Sequence, residues 1–383
     1  MAVLKNHNTS SMGVYIHWPF CNTKCPYCDF NSHVAENIDH NRWQQALLTE
    51  LSYFANDTKN RTVTSVFFGG GTPSLMASET AALLIEAIKT HWTTQKDLEI
   101  TLEANPSTAE AKRFRAFREA GINRLSLGVQ SLRNEHLKFL GRGHSVDDAE
   151  KAIRLAKKNF PNFSFDLIYG IRGQTRSDWK EELKRAIGLA QNHLSVYQLT
   201  IEPGTSFFIN KVKSATEKMG VALYQDTQTI LEEFGFVAYE ISNHARMGQF
   251  CQHNLNIWKG SDYAGIGPGA HSRLTGTKGT NSIYQIYSPT RWLKKVEETG
   301  HAIARRKSTG KHERAEEILM NGLRLSDGIS REKLKELDFV INKKRLKRMV
   351  IGDFLELDSS GLRATKSGRL CLNEVLCQLL LNP

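Results

Sequence analysis

Two patterns alternate along the first 240 residues. Short runs that mix branched apolar and polar residues lie at Val14–His17, Ser65–Phe68, Glu99–Glu103, Arg124–Val129, Asn162–Ile168 and His193–Leu199, and each predicts a strand. Between them, apolar residues recur at helical spacing over Arg42–Phe54, Glu79–Trp92, Thr108–Ala120, Val146–Asn159 and Ser177–Ala190. Gly121 stands where a helix C-cap glycine belongs. Six strand–helix units in series predict an α/β fold with a parallel sheet and outer helices. Polar and glycine-rich residues fall just after the strands, the position of active-site loops on a (β/α) barrel. Six units rather than eight predict a partial, open barrel; a doubly wound sheet is the alternative. From about Ser242 to Pro289 helical periodicity fades and glycines accumulate, which predicts a loop-rich connector over 241–289. Beyond it, 290–383 reads as a smaller helical domain. Helical runs at Arg291–Thr299, Glu313–Leu323 and Arg331–Leu337 precede a hairpin signal, Phe354–Leu357 and Leu362–Thr365 around Asp358-Ser-Ser-Gly361. Helices followed by a hairpin suggest a winged-helix-like fold.

Composition narrows the class. The chain has 383 residues, 40% of them hydrophobic, enough for a large core without disulfide staples. It carries 51 Lys and Arg against 40 Asp and Glu, a net charge of +11. The basic residues are densest at Lys343, Lys344, Arg345, Lys347 and Arg348, a pattern that reads as one face of an exposed helix. It is weak ground for a nucleic-acid partner. Met1–Asn8 has no apolar core of a signal peptide, and no run of 18 apolar residues occurs. The expected location is the cytoplasm.

Three of the six cysteines crowd together as Cys21-Asn-Thr-Lys-Cys25-Pro-Tyr-Cys28. Three thiolates on one loop can hold three irons of a 4Fe–4S cubane and leave the fourth open. A zinc site would need a fourth ligand, with Asp29 or His33 as candidates. Phe68-Gly-Gly-Gly-Thr-Pro73 follows the second predicted strand and would let a ligand approach the backbone. Polar residues end the later strands: Glu103, Gln130, Arg142 and Asp166. Cys371 and Cys377 read as small buried hydrophobes.

The spacing of Cys21, Cys25 and Cys28 after a first strand resembles the radical SAM superfamily. That resemblance implies a partial (β/α)6 barrel holding a 4Fe–4S cluster and S-adenosylmethionine (SAM), which is cleaved to a 5′-deoxyadenosyl radical. Nearly the full chain is similar to the coproporphyrinogen-oxidase-like branch. By that resemblance Tyr15, Gly70, Gly71, Thr72, Glu103, Gln130, Arg142 and Asp166 contact SAM, and Tyr27 packs on the cluster or on SAM. Within the branch the chain looks most like the HemW-type heme chaperones. Phe30 stands where the oxidases carry a further cysteine, and the residues before the first strand do not resemble the oxidases' extra N-terminal segment. Cys251-Gln-His253-Asn254-Leu-Asn-Ile-Trp258 resembles the chaperones' H-N-x-x-Y-W motif, with Ile257 at the tyrosine position. The resemblance makes His253 the heme contact; Cys251 is a rival ligand, and Trp258 could pack on a porphyrin face. It implies heme as cargo, heme-accepting partner proteins, a one-electron donor such as flavodoxin or ferredoxin, and a peripheral membrane contact. The other readings are a coproporphyrinogen III oxidase and a tRNA-modifying radical SAM enzyme.

Overall fold

The computed structural model describes residues 11–337 and 341–380, excluding the side chains of 108 and 109. The Met1–Asn8 reading lies outside these residues. All six predicted strands form, the first five longer than the predicted runs and the sixth one residue shorter: β1 Ser11–Trp18, β2 Thr62–Gly70, β3 Thr93–Ala104, β4 Arg124–Gln130, β5 Asn162–Tyr169 and β6 His193–Gln198. They pair in parallel and in sequence order. Helices His40–Asp57, Ser78–His91, Val146–Asn159, Arg176–Leu189 and Glu217–Glu233 cover the outside. Two of them start at complete capping boxes, Ser145 with Asp148 and Thr175 with Asp178, which satisfy otherwise orphaned N–H groups.

Alternation sorts the strand residues into two faces. Val14, Ile16 and Trp18, Val66 and Phe68, Ile100 and Leu102, Leu125 and Leu127, and Phe163 and Phe165 point outward into one buried core with the helices. The opposite face carries Tyr15, His17, Glu103, Arg124, Ser126, Gln130, Ser164, Asp166 and Ser195. That face is concave. Phe67 of β2 packs with Tyr239 and with Ala245 of a seventh strand, β7 Asn243–Ala245, which lies five strands away. A flat sheet would separate them by roughly 24 Å at about 4.8 Å per strand, so the sheet curls into an open barrel.

The predicted helix over Thr108–Ala120 is broken into Thr108–Ala111 and Phe114–Glu119. At the break, Arg113 spends its guanidinium on the carbonyls of Ser74 and Met76 instead of on a helix face. The stretch 241–289 is also more regular than expected. It supplies β7, helix Gln252–Trp258, β8 Asp262–Ile266, β9 His271–Gly276 and β10 Gly279–Gln285. Strand β8 pairs in parallel with β1, and β9 and β10 extend the sheet antiparallel. The glycines that looked like loop signals sit at strand ends and turns: Gly276 and Gly279 close the β9–β10 hairpin. The main sheet runs on to β11 Ile303–Thr309, and Trp292, Leu293 and Val296 of helix Pro289–Thr299 join the first core.

A second core gathers Leu319, Leu323, Ile329, Leu355, Leu362, Leu372, Val375 and Leu379. Leu355–Leu357 and Gly361–Ala364 form the predicted hairpin, and Ile329–Ser330 adds a third short strand. With helices Lys311–Gly322, Lys343–Ile351 and Leu372–Leu380 this is a smaller, winged-helix-like unit. The two cysteines here are not buried as expected. Cys371 caps a short helix and is half-buried. Cys377 is exposed, because Leu372, Val375 and Leu379 occupy the inward face of its helix. Among the described residues no helix is long and apolar enough to cross a membrane.

Candidate functional site

The C-terminal ends of the parallel strands open into a cavity of about 620 Å³. Cys21, Cys25 and Cys28 line one side, on the loop that follows β1. Gly70, Gly71 and Thr72 come from the end of β2, Glu103 from β3, Gln130 from β4, Asp166 from β5 and Arg142 from the loop after β4. Tyr27 also lines it, its ring 6.3 Å from that of Phe207. Strand order and parallel direction bring these residues together, because each lies in the C-terminal half of its strand or in the segment after it.

Each thiol faces a polar partner. The Thr72 hydroxyl donates to Cys21 Sγ at 3.3 Å, and Arg142 Nη1 donates to Cys25 Sγ at 3.2 Å. The Ser32 hydroxyl lies 3.8 Å from Cys28 Sγ. Burial pushes the Cys21 and Cys28 thiols up, so thiolates here need positive charge nearby, which bound metal would supply. His33 is turned away, with Nε2 2.7 Å from Asn31 Oδ1, so it does not complete a zinc set. Among the described residues no three His, Cys, Asp or Glu converge on a single metal ion. The loop suits a cluster that spaces its ligands apart.

The opposite wall suits a ligand with an ammonium, a carboxylate and hydroxyls. Gly70 holds φ at +117° and donates its N–H to Glu103 Oε2 at 3.2 Å; a β-carbon there would strike the His17 ring. Burial, then the neighbouring Asp166, pushes Glu103 up to about 8. Burial pushes Asp166 up to about 6, and its Oδ1 is buried without a protein partner. Arg142 Nε is likewise unsatisfied, while its Nη2 donates to Asn105 Oδ1 and the Gly128 carbonyl. Asp166 and Arg142 both line the cavity, where a bound ligand can partner these atoms. Gln130 adopts φ +69°, a strained backbone stored at the rim.

Eight of the ten expected cofactor contacts line this cavity. Tyr15 and His253 do not. The Tyr15 hydroxyl sits 3.0 Å from His17 Nδ1, and its ring stacks beside Phe67 below the cavity. His253 lies deeper, at the strands' N-terminal end. It is 2% exposed, its Nδ1 is 2.9 Å from Ser65 Oγ, and its ring stacks on Phe67. Burial drives it down to about 3, so it is neutral. Glu99 fixes its helix, accepting from Gln252 N and His253 N at 3.0 Å each. The rival Cys251 is fully buried, donates to Glu99, and is pushed up to about 12 by burial. Trp258 lies under the Arg324 guanidinium, 4.6 Å away, not over open space. Sequence reasoning missed Asn105, which bridges Thr72 and Arg142, and the end of β6, where Tyr197, Gln198, Thr200 and Glu202 line the cavity. Asn105 follows Glu103 by two residues, and Tyr197–Glu202 ends the sixth strand; position after a strand was the available signal.

Residues 15–186 match the radical SAM superfamily model and residues 310–371 match the HemN C-terminal domain. The chain is similar to the heme chaperone HemW of Haemophilus influenzae, 35% identical, with 95% of this chain and 97% of that one covered. It is 41% identical to the heme chaperone HemW of Escherichia coli over 69% of this chain and 70% of the other. It is 36% identical to mouse "radical S-adenosyl methionine domain-containing protein 1, mitochondrial", covering 96% and 87%. In fold it is similar to the coproporphyrinogen III oxidase HemN of Escherichia coli, with a TM-score of 0.82 over 97% of this chain and 90% of that one, at 21% identity.

Proposed function

The chain belongs to the radical SAM family of HemW-type heme chaperones, and from that premise we propose that it carries heme to recipient proteins and holds a 4Fe–4S cluster and SAM at the barrel mouth. The observation that supports this most is the convergence of three cysteines, a glycine turn and two buried, proton-raised carboxylates on one cavity. A cluster there supplies one-electron chemistry to the SAM sulfonium when both are bound.

In this reading Cys21, Cys25 and Cys28 ligate iron, with Thr72 and Arg142 donating to the sulfurs. Gly70, Gly71 and Thr72 present backbone and hydroxyl groups to the methionyl end. Arg142 offers its free Nε to a carboxylate. Glu103, Gln130 and Asp166 take the hydroxyl and ammonium groups, and Tyr27 covers the cluster side. Tyr15 acts from below, buttressing the turn at Gly69 and Gly70 through its ring and His17.

Heme is the cargo, and His253 is its proposed ligand. Neutral imidazole suits iron, but Nε2 is buried, so helix Gln252–Trp258 has to lift from the barrel floor for it to bind. A flavodoxin- or ferredoxin-like protein is the proposed electron donor. Helix Lys343–Ile351, with Lys343, Lys344, Lys347 and Arg348 exposed, is the proposed place of peripheral membrane contact. We place the protein in the cytoplasm; the mouse relative is named as mitochondrial.

The testing experiment is anaerobic. The reconstituted protein, with SAM and reductant, is offered coproporphyrinogen III and, separately, heme. Heme binding without protoporphyrinogen formation is the expected outcome. Protoporphyrinogen formation would make it an oxidase.

A further inference from the structure

The loop that carries the cysteines is tied down unevenly. Its leading half is fixed by backbone bonds: Gly71 N to the Trp18 carbonyl, Thr72 N to the Phe20 carbonyl, and Phe207 N to the Pro26 carbonyl. Past Cys28 the pattern changes. Among the described residues, every hydrogen bond from Asp29–Ser32 to the fold outside the loop runs through Asn31, up to His33, whose N–H donates to the Pro19 carbonyl where His33–Val34 pairs with Phe20–Cys21. Its Nδ2 donates to the Pro268 and Tyr287 carbonyls, both at 2.9 Å. Its own carbonyl lies 2.9 Å from His17 Nε2, whose other nitrogen faces the Tyr15 hydroxyl at 3.0 Å. Two carbonyl acceptors on Nδ2 fix the orientation of the amide, and Oδ1 then faces His33.

The anchor for Asn31 is the turn Gly267-Pro268-Gly269 after β8. A β-carbon on Gly267 would strike the His17 carbonyl, and one on Gly269 would strike the Asn31 amide. The turn therefore sits against the cysteine loop with no space between. From behind, a fully buried Glu50 holds it, accepting from Gly267 N at 2.8 Å, Ala302 N at 2.9 Å and Trp292 Nε1 at 3.1 Å. A continuous chain of contacts thus joins the first helix, the turn at 267–269, Asn31 and the segment beside Cys28.

We propose that Asn31 is a positioning residue for the cluster: clamped to the Glu50-held turn at 267–269, it sets where the loop presents Cys28. Stretch 241–289 is then a working part of the metal site, not a connector. The fold places Asn31 outside the cavity lining, and it reaches the cluster only through the loop backbone.

The test compares the reconstituted parent with Asn31→Asp and Gly269→Ala. Asn31→Asp keeps the shape but turns a donor into an acceptor facing two carbonyls. Gly269→Ala drives a methyl into the same contact from the other side. Readouts are iron per chain, the rate of iron loss to a chelator, the electron paramagnetic resonance spectrum of the reduced cluster with and without SAM, and the melting temperature of the iron-free chain. Asn31→Asp is expected to lose iron about tenfold faster, in the range typical of residues that orient metal ligands, with an altered SAM-dependent spectrum and a melting temperature within a few degrees of the parent. Gly269→Ala is expected to do the same where it folds. Iron loss and spectra unchanged in Asn31→Asp would overturn the proposal. So would a melting temperature that falls while the spectrum of the surviving cluster stays that of the parent. The proposal rests on the cluster reading, and the parent separates the two: a parent that takes up no iron defeats both, while a parent that holds iron no better than Asn31→Asp defeats the positioning role alone.

Discussion

The two ends of one barrel are built from the same strands and do opposite things. At the mouth, polar side chains from β2 to β5 are buried but incompletely paired: Asp166 Oδ1 and Arg142 Nε have no protein partner, and burial holds Glu103 near 8. At the floor, several polar groups are matched, while His253 Nε2 and Trp258 Nε1 are buried without partners. Glu99 takes two backbone N–H groups and a thiol, Ser65 faces His253, and helix Gln252–Trp258 seals the end. Unpaired buried polar groups cost stability; at the mouth they border a cavity, while at the floor they lie in closed packing. The difference teaches where a ligand is expected: the mouth turns its unpaired groups toward an open cavity, while those of the floor are closed in until something opens it.

Loss of the thiols proposed to ligate iron should break the comparison most. Replacing Cys21, Cys25 or Cys28 by Ser is expected to take the reconstituted chain from about four irons to nearly none, read by iron assay and the cluster's visible absorption. Cys251→Ser, at the floor, should leave iron unchanged.

Next in size is the wall of the mouth. Asp166→Asn removes a buried charge that would meet SAM, at a cost of about 1.5–3 kcal/mol, or a roughly 10- to 100-fold weaker SAM affinity. Calorimetry on the cluster-loaded protein measures it. An affinity within twofold of the parent would remove Asp166 from the ligand set.

Ser65→Ala should act on the floor instead. It leaves His253 Nδ1 without its partner and is expected to lower folding stability by about 1–3 kcal/mol, with SAM affinity unchanged. Denaturant unfolding of the iron-free chain tests this, and a weakened SAM affinity would erase the distinction between the two ends.

The smallest effect is on pH. Glu103 and Asp166 hold protons more tightly folded than unfolded, since burial raises them to about 8 and about 6. Their contribution to the ligand-free fold is therefore present at low pH and lost as pH rises toward 8. The melting temperature should fall by a few degrees between about pH 5 and 8.5, and Glu103→Gln should flatten that slope.

The sequence exposed the mouth far better than the floor, for a physical reason. Mouth residues lie toward the C-terminal ends of their strands or just after them, so Cys21, Gly70, Glu103 and Asp166 can be placed by counting along the chain. The outward faces were legible too, because Ile16, Phe68, Leu102 and Phe165 mark them by alternation. The floor is assembled from distant segments: Glu99 meets residues more than 150 positions away. Nothing local to His253 announces that Ser65 and Phe67 bury it. Stretch 241–289 was hidden for a related reason, since β8 gains its partner β1 from the other end of the barrel. Asn31 carries no local signal, because its partners Pro268 and Tyr287 are non-local. Cys377 was misplaced because one cysteine on a helix does not reveal its face.

The most direct test of heme carriage is transfer itself. The cluster-loaded protein, charged with one equivalent of heme, is mixed with an apo heme-accepting protein that absorbs distinctly in the Soret region. The account predicts time-dependent transfer of heme to the acceptor, with no porphyrin product formed and with loading abolished in His253→Ala. Failure of the charged protein to yield heme to any acceptor, or turnover of coproporphyrinogen III by the same preparation, would contradict it.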